Sequence, residues 1–322
     1  MPWSLPRLQP TAAPRATRSA RAMWLGLLLC GSGLVPLTGH SAECRPVAAE
    51  KTDAGKRQDF THGLLWKIET PGSRASYLFG TYHTSDPRIT TLPCPVQEVF
   101  DRTASYTMEV ITNGAGIVSM AEAMFFSDGK TLKTVLGEAL YQETRRAMGN
   151  TDAAAGIDNM KPWAVMMTLS SPHEARGLFL DMALQLAATR RGKPTYGLES
   201  MQEQIAVFNG MSLDDQIVLL RDTVQNQQLT QGAMEDLAQA YLKRDLGALL
   251  ALGEKFKPKD ARVYDAMVDR LLTQRNASMA ERMQARLKEG NAFVAVGALH
   301  LPGDTGLLQL LSTAGYRVTR VY

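Results

Sequence analysis

The first 42 residues contain no acidic side chain, and no long hydrophobic run follows them. Four arginines lie in this segment, so the remaining 31 basic residues face 32 acidic ones, and the formal charge of +3 becomes −1. A nearly neutral chain lacks the electrostatic footprint of a nucleic-acid-binding protein, so we expect no nucleic-acid partner. No later run has the ~20 apolar residues that a membrane-spanning helix needs, so we predict no stable membrane span in the mature chain.

The same segment has the three parts of a cleavable secretory signal peptide. Its arginines, the last of which is Arg21, precede a short apolar run over residues 23–35, and small residues follow as far as Ala42. This run is too short to cross a membrane, although an uncleaved membrane anchor is the alternative interpretation. We therefore predict a signal peptide over residues 1–42 and export of the remaining chain.

Cysteine is scarce, and the signal peptide removes one of the three. Cys30 lies within the signal, whereas Cys44 and Cys94 remain as an even pair. Exported chains meet an oxidising environment, so this pair predicts a disulfide, with two unpaired thiols as the alternative. A catalytic thiol is disfavoured, because neither cysteine lies in a recognisable nucleophile motif.

Extended segments lie near both ends of the remaining chain, and helical patterns fill its middle. Residues 43–58 are polar and predict a flexible leader. Apolar and aromatic runs predict strands at 64–69, 75–80, 105–111, 292–296 and 316–322, while a short extended piece at 194–198 interrupts the helices. We therefore predict one α/β (α+β) domain over residues 59–322. Its mixed sheet is built from the N- and C-terminal segments, and a large helical insert covers about 114–290.

Two of the predicted strands end in the same motif, Gly-x-x-His. Gly80 precedes His83, and Gly297 precedes His300. Each glycine permits the chain to leave its strand in a tight turn, which places the imidazole at the carboxyl end of the strand. Active sites of open α/β sheets collect at that edge. If both strands belong to one sheet, the two imidazoles can converge although they are far apart in the sequence.

Two imidazoles and a carboxylate form a common ligand set for a divalent metal. Glu109 is the first candidate carboxylate, because a charged residue is unexpected inside an apolar strand segment, and Glu199 is the second. Histidine is also the commonest general base near neutral pH. The alternatives are that His83 and His300 are structural or merely exposed, and that Glu109 lies on a solvated face of the sheet.

These motifs, taken together and in this order, resemble the TraB/PrgY/GumN family, which includes the Tiki proteases of animals. The resemblance covers residues 63–322 and is closest to the bacterial GumN-like branch. It is carried by the two Gly-x-x-His motifs, a glutamate on an early strand, a Gly-Leu-Glu segment and an Arg-Asn pair before the last helix. In this chain they are Gly80/His83, Gly297/His300, Glu109, Gly197-Leu198-Glu199 and Arg275-Asn276.

The resemblance implies an exported, metal-dependent hydrolase, and specifically a periplasmic peptidase acting on a peptide or protein substrate. His83, His300 and Glu109 would bind a divalent metal or position its water, and Glu199 would be a further acid/base group or ligand. Arg275 would neutralise a substrate carboxylate or a developing oxyanion, with a helix-surface salt bridge as the alternative.

Asn276, the neighbour of Arg275, would orient a ligand or cap the following helix.

Two other functions of the chain remain open from the sequence. One is a non-catalytic periplasmic binding protein that holds a peptide, a metal or haem in the same cleft. The other is an interaction protein that acts on exported peptides or envelope components without chemistry.

Overall fold

The computed structural model describes residues 44–45, 60–149, 156–170, 178–255 and 260–322, except for the side chains of 228–231. The predicted signal peptide at 1–42 and nearly all of the predicted leader at 43–58 lie outside the described residues. The division of the chain into signal, leader and domain therefore stays a prediction.

Six strands of the described residues form one mixed sheet in the order β4-β3-β5-β2-β1-β6. The neighbours β4, β3, β5 and β2 are parallel, whereas β1 is antiparallel to both β2 and β6. The fold is therefore the predicted α/β mixed sheet, to which both ends of the chain contribute. The strands are β1 (Leu65–Glu69), β2 (Ser76–Thr81), β3 (Ser105–Val110), β4 (Thr195–Glu199), β5 (Ala292–Gly297) and β6 (Arg317–Arg320).

Helices surround this sheet. In chain order most of them come after β3 and before β5, as the sequence predicts. One π-helical segment, Asp269–Thr273, leads directly into α12. The α-helices are α1 (Pro87–Thr90), α2 (Cys94–Arg102), α3 (Gly114–Ala123), α4 (Leu132–Met148), α5 (Pro162–Leu169), α6 (Leu180–Arg190), α7 (Met201–Asn209), α8 (Leu213–Gln225), α9 (Gln227–Leu242), α10 (Leu246–Lys255), α11 (Ala261–Val268), α12 (Gln274–Glu289) and α13 (Leu307–Thr313).

Local sequence explains where several helices begin and end. Thr131 and Ser212 cap α4 and α8 by accepting hydrogen bonds from backbone N–H groups three residues later. Helix α9 ends at Leu242, and α10 begins at Leu246. Arg244 adopts a φ of 59° between them, and the Asp245 carboxylate then accepts from the backbone of the new helix.

The strands of the sheet are buried between helices, and aromatic side chains fill their centre. Phe293 of β5 contacts Phe79, Phe100 and Tyr106, with ring centroids 5.2–6.4 Å apart. A second cluster surrounds Trp163 and packs α4, α5 and α8 together away from the sheet. The close packing of the sheet therefore fixes the carboxyl ends of its parallel strands, which carry the side chains of the candidate site.

Two further sequence predictions concern the cross-link and the membrane. Cys44 and Cys94 form a disulfide, as predicted, and it joins the start of the described chain to the first residue of α2.

In the part of the chain that the structure describes, no helix combines the length and the apolar character needed to cross a membrane.

Candidate active site

The carboxyl ends of the four parallel strands bring the predicted site residues to one edge of the sheet. β2 pairs with β5 so that Thr81 lies opposite Gly297, which places the two Gly-x-x-His turns side by side. A Cβ atom at Gly80 would lie only 2.7 Å from Leu301 Cδ1, so the absence of a side chain there lets the two turns pack together. The predicted convergence of the motifs is thus present in the fold.

Gly297 marks the point where His83, Glu109 and His300 meet. A Cβ atom built on this glycine would lie 3.3 Å from Glu109 Oε1, 3.5 Å from His300 Cδ2 and 3.8 Å from His83 Nε2. His300 and Glu109 are buried, whereas the His83 side chain is 64% exposed. One imidazole therefore forms the floor of the site and the other faces solvent at its mouth.

Glu109 is fixed by donors on both carboxylate oxygens. Its Oε1 accepts from the Gly297 backbone N–H at 2.6 Å and lies 3.7 Å from His300 Nε2. Its Oε2 accepts from Arg275 Nη2 at 2.5 Å. Burial alone would raise the pKa of the Glu109 carboxyl, but the surrounding positive groups and the Gly297 N–H together hold this pKa below its usual value. Glu109 is therefore a buried, ionised carboxylate, and the alternative of a solvated sheet face is wrong.

Arg275 joins the two predicted carboxylates. Its Nε donates to both oxygens of Glu199, and its Nη2 donates to Glu199 Oε2 at 2.7 Å as well as to Glu109. Only 14% of the Arg275 side chain is exposed, so the ion pair is internal and not the helix-surface salt bridge considered as an alternative. The predicted role of Arg275 toward a substrate stays a prediction, and its guanidinium is occupied by Glu109 and Glu199.

Gln204 also contacts both carboxylates, and the sequence did not reveal it. It lies on α7, and its Nε2 donates to Glu199 Oε2 at 3.3 Å and to Glu109 Oε2 at 3.4 Å. No motif distinguishes this glutamine from the other polar residues of its helix. Only the packing of α7 over the strand ends places it at the site.

Asn276 holds the buried imidazole. Its Oδ1 lies 2.6 Å from His300 Nδ1, and its amide nitrogen donates to the Thr305 carbonyl at 2.9 Å. An amide whose nitrogen is engaged elsewhere presents only its oxygen, so we assign the His300 proton to Nδ1 and leave Nε2 as a lone pair facing Glu109. Burial lowers the pKa of His300 to about 4, which keeps the ring neutral near pH 7.

Asp181, a residue of the first turn of α6, holds the exposed imidazole in the same way. Its Oδ2 accepts from His83 Nδ1 at 2.8 Å, and its Oδ1 accepts from Thr81 Oγ1 at 2.6 Å. Desolvation lowers the pKa of His83, but the hydrogen bond and the charge of Asp181 outweigh it and raise the pKa to about 9. This partner could not be recognised from the sequence, since an acidic residue in a first helical turn is common for other reasons.

His83, His300 and Glu109 are residue types that divalent metals bind. His83 and His300 each have one ring nitrogen held by a neighbouring side chain, as metal-binding histidines usually do, and Glu109 supplies an oxygen beside them. As the side chains stand, no group of three or more His, Cys, Asp or Glu within the described residues is arranged to hold a metal ion. The residue types and their supports fit a metal, and binding would require the three groups to draw together.

A sequence model of the TraB/PrgY/gumN family matches residues 64–320. The chain belongs to this family. Among similar proteins, metalloprotease TIKI2 of Danio rerio is 26% identical over 90% of this chain and 68% of its own length. Metalloprotease TIKI1 of Homo sapiens is 25% identical over 92% of the chain and 69% of its own length.

A bacterial relative is of more similar size to this TraB/PrgY/gumN chain. The uncharacterized protein YbaP of Escherichia coli is 24% identical over 76% of this chain and 90% of its own length. This chain spans only about two thirds of the length of the Tiki relatives. No solved structure matches the chain.

A surface cleft of about 690 Å³ lies between α3 and α7 in this member of the TraB/PrgY/gumN family. Its walls include Phe125, Phe126 and Lys161, together with Glu122 of α3 and Ile205 of α7. Ile205 follows Gln204, the residue that contacts both Glu109 and Glu199, so α7 borders the cleft as well as the site.

Proposed function

We propose that this chain is an exported metal-dependent hydrolase that cleaves peptide bonds. The observation that carries the proposal is the grouping of His83 Nε2, His300 and Glu109 Oε1 around Gly297. Each imidazole is additionally held through Nδ1 by a side-chain oxygen, so that Nε2 is the ring nitrogen left for a metal, and His83 must release its Nε2 proton on binding. A hydrogen bond of this kind to the other ring nitrogen is typical of histidines that bind metals.

The relatives support the hydrolytic part of this proposal. The Tiki proteins that match most of the chain are named metalloproteases, and we extend that activity to this chain as a hypothesis. The Cys44–Cys94 disulfide is a cross-link that persists in oxidising compartments, which supports the proposed location in the periplasm after secretion.

His83, His300 and Glu109 would hold the metal, whose identity is not assigned. When bound, a divalent metal supplies an acidified water and polarises the carbonyl that is attacked. The protein's own side chains orient the two imidazoles. Asn276 keeps the proton of the neutral His300 on Nδ1. Asp181 accepts from Nδ1 of His83, whose pKa of about 9 means that its Nε2 proton must leave when a metal binds.

Arg275 and Gln204 fix the two carboxylates. Arg275 compensates the buried charges of Glu109 and Glu199, and Gln204 adds a weaker donor to each. Glu199 is thereby kept beside the site, where it is the second carboxylate for acid/base work. Because Arg275 already compensates both carboxylates, we propose that its contribution is to position Glu109 and Glu199.

Metal analysis of the purified mature protein tests the proposal most directly. We expect one equivalent of a divalent metal per chain, and we expect cleavage of a degenerate peptide mixture, read by mass spectrometry, that stops on chelation and returns with metal. Absence of stoichiometric metal from a folded, metal-supplemented protein would exclude the metallohydrolase. Metal binding without any cleavage would instead favour the non-catalytic binding protein.

Asp181→Asn should weaken metal binding, because an amide replaces the carboxylate that orients His83. Removal of a carboxylate that holds the other ring nitrogen of a metal-binding histidine reduces metal affinity by about 10- to 100-fold. The affinity can be measured by competition with a fluorescent chelator, and the ¹⁵N shifts of the His83 ring, recorded for the metal-free protein above the His83 pKa of about 9, report its tautomer independently of activity. Asp236→Asn is the control, since that exposed aspartate only approaches Lys255 at 3.9 Å. An unchanged affinity together with an unchanged tautomer would contradict the assigned role of Asp181.

A further inference from the structure

β4 is an edge strand that leads directly to the candidate site. Within the described residues it pairs with β3 alone, because it stands first in the strand order. The Glu199 carboxylate, which Arg275 binds together with Glu109, belongs to its last residue. A chain that ran along the outer edge of β4 would therefore arrive at the end of the strand where Glu199 lies.

The register decides which backbone groups of β4 are available at this edge. Tyr106 N–H donates to the Pro194 carbonyl, and Tyr106 lies opposite Thr195. In a parallel ladder this pattern directs Pro194 and Tyr196 of β4 toward β3. The N–H and C=O groups of Thr195 and Gly197 consequently point away from β3.

Gly197 lies at the centre of the outer edge of β4, and it is accessible to solvent. The glycine is exposed, and the preceding Tyr196 is 37% exposed. No hydrogen bond to the backbone of Gly197 from outside the sheet occurs among the described residues. Helices α6 and α12 both contact β4, and α12 places Arg286 above the Tyr196 ring and Arg282 on the Leu198 carbonyl.

We propose that the substrate binds as an extended polypeptide segment that adds to β4 as a further strand. Unpaired N–H and C=O groups in strand geometry are complementary to an extended peptide backbone, and side chains add specificity only secondarily. With a rise of ~3.3 Å per residue, a segment paired along β4 reaches the level of Glu199 within a few residues. This inference rests on the proposed peptidase function, because it supplies the reason for a polypeptide at this edge.

Gly197→Pro removes the outward N–H without touching a bond to β3, and Gly197→Ala is its matched control. Both variants add a Cβ atom, which meets the Glu199 carbonyl oxygen at 3.2 Å, but only proline removes the donor. The probe is fluorescein-labelled β-casein, an unfolded polypeptide, and the readout is anisotropy at equilibrium. We expect the proline variant to bind about tenfold more weakly than the alanine variant. Equal binding by the two variants, or no binding by the wild type, would overturn the proposal.

Peptides modified on their own backbone test the same contact in the unaltered protein, in case the proline variant does not fold. A mixture of degenerate decapeptides should displace the labelled casein, whereas the same mixture N-methylated at alternate residues should not. Equal displacement by both mixtures would contradict strand addition.

Two other outcomes distinguish the proposed strand addition from the hydrolase proposal and from self-association of the chain. If casein binds at the edge and is never cleaved, the proposed hydrolase fails while the binding strand stands. If the wild type forms dimers in sedimentation velocity that Gly197→Pro abolishes, the edge pairs with a second copy of the chain. That result would overturn the proposed occupant.

Discussion

Replacing Arg275 by methionine should lower the free energy of unfolding by about 3–5 kcal/mol. The guanidinium is the common partner of Glu109 and Glu199, both of which are almost completely buried. Without it, two ionised carboxylates would remain close together in a poorly solvated environment. Breaking a buried ion pair from one side is destabilising for this reason, whereas the intact pair itself contributes little net stability. Urea denaturation of the metal-free protein at pH 8 measures the difference.

Arg282→Met provides the control on the same helix. Arg282 pairs with Glu203, but both side chains are more than 40% exposed, so we expect a loss of no more than about 1 kcal/mol. A double variant, Arg275→Met with Glu199→Gln, should recover part of the stability that the single variant loses. If Arg275→Met and Arg282→Met destabilise equally, the two carboxylates do not depend on Arg275.

The contribution of Glu109 to stability should change with pH in opposite directions in the wild type and in Arg275→Met. In the wild type the pKa of Glu109 is lowered, so its contribution to stability is present above the pKa of the unfolded state and is lost as the pH falls. In Arg275→Met the pKa of the unpaired Glu109 should rise instead, so its penalty appears as the pH increases. The difference between the two proteins should therefore be smaller at pH 5 than at pH 8.

Features that depend on local sequence could be predicted, and the central part of the site is among them. β2 and β5 have apolar runs that end in Gly-x-x-His, and a parallel sheet necessarily gathers such ends at one edge. Glu109 stood out because a charge is unexpected within the apolar run of β3. Each of these signals is contained within a few residues of sequence, so no knowledge of the tertiary packing was needed to find it.

Features that arise only from packing could not be predicted. Asp181 lies 98 residues after His83, and Gln204 lies 95 residues after Glu109. Each is an ordinary helical residue until the helix is placed over the strand ends. β4 is a similar case, because its sequence indicated an extended piece inside the helical insert, and its register at the edge of the sheet follows only from its pairing with β3.

Glu109→Gln should reduce peptide hydrolysis by about 10³-fold or more while leaving the protein folded. The substitution keeps the shape of the side chain but removes the negative charge that faces His300 Nε2 and the Gly297 N–H. Arg275 retains Glu199 as its partner, so the variant should lose much less stability than Arg275→Met. Loss of activity without loss of folding would therefore separate the chemistry of Glu109 from its structural role. The measurement is kcat/KM for a peptide that the metal-loaded wild type cleaves, combined with a urea denaturation curve.

Glu203→Gln is the matched control for this loss, because it is the same substitution at an exposed carboxylate of α7. Glu203 pairs with Arg282 at the surface and does not contact the histidines, so its kcat/KM should stay within about twofold of the wild type. Metal affinity should fall in Glu109→Gln and remain unchanged in Glu203→Gln, since only Glu109 lies with the two imidazoles around Gly297. Activity of Glu109→Gln within tenfold of the wild type would exclude Glu109 from the reaction and move the search for the reacting carboxylate to Glu199.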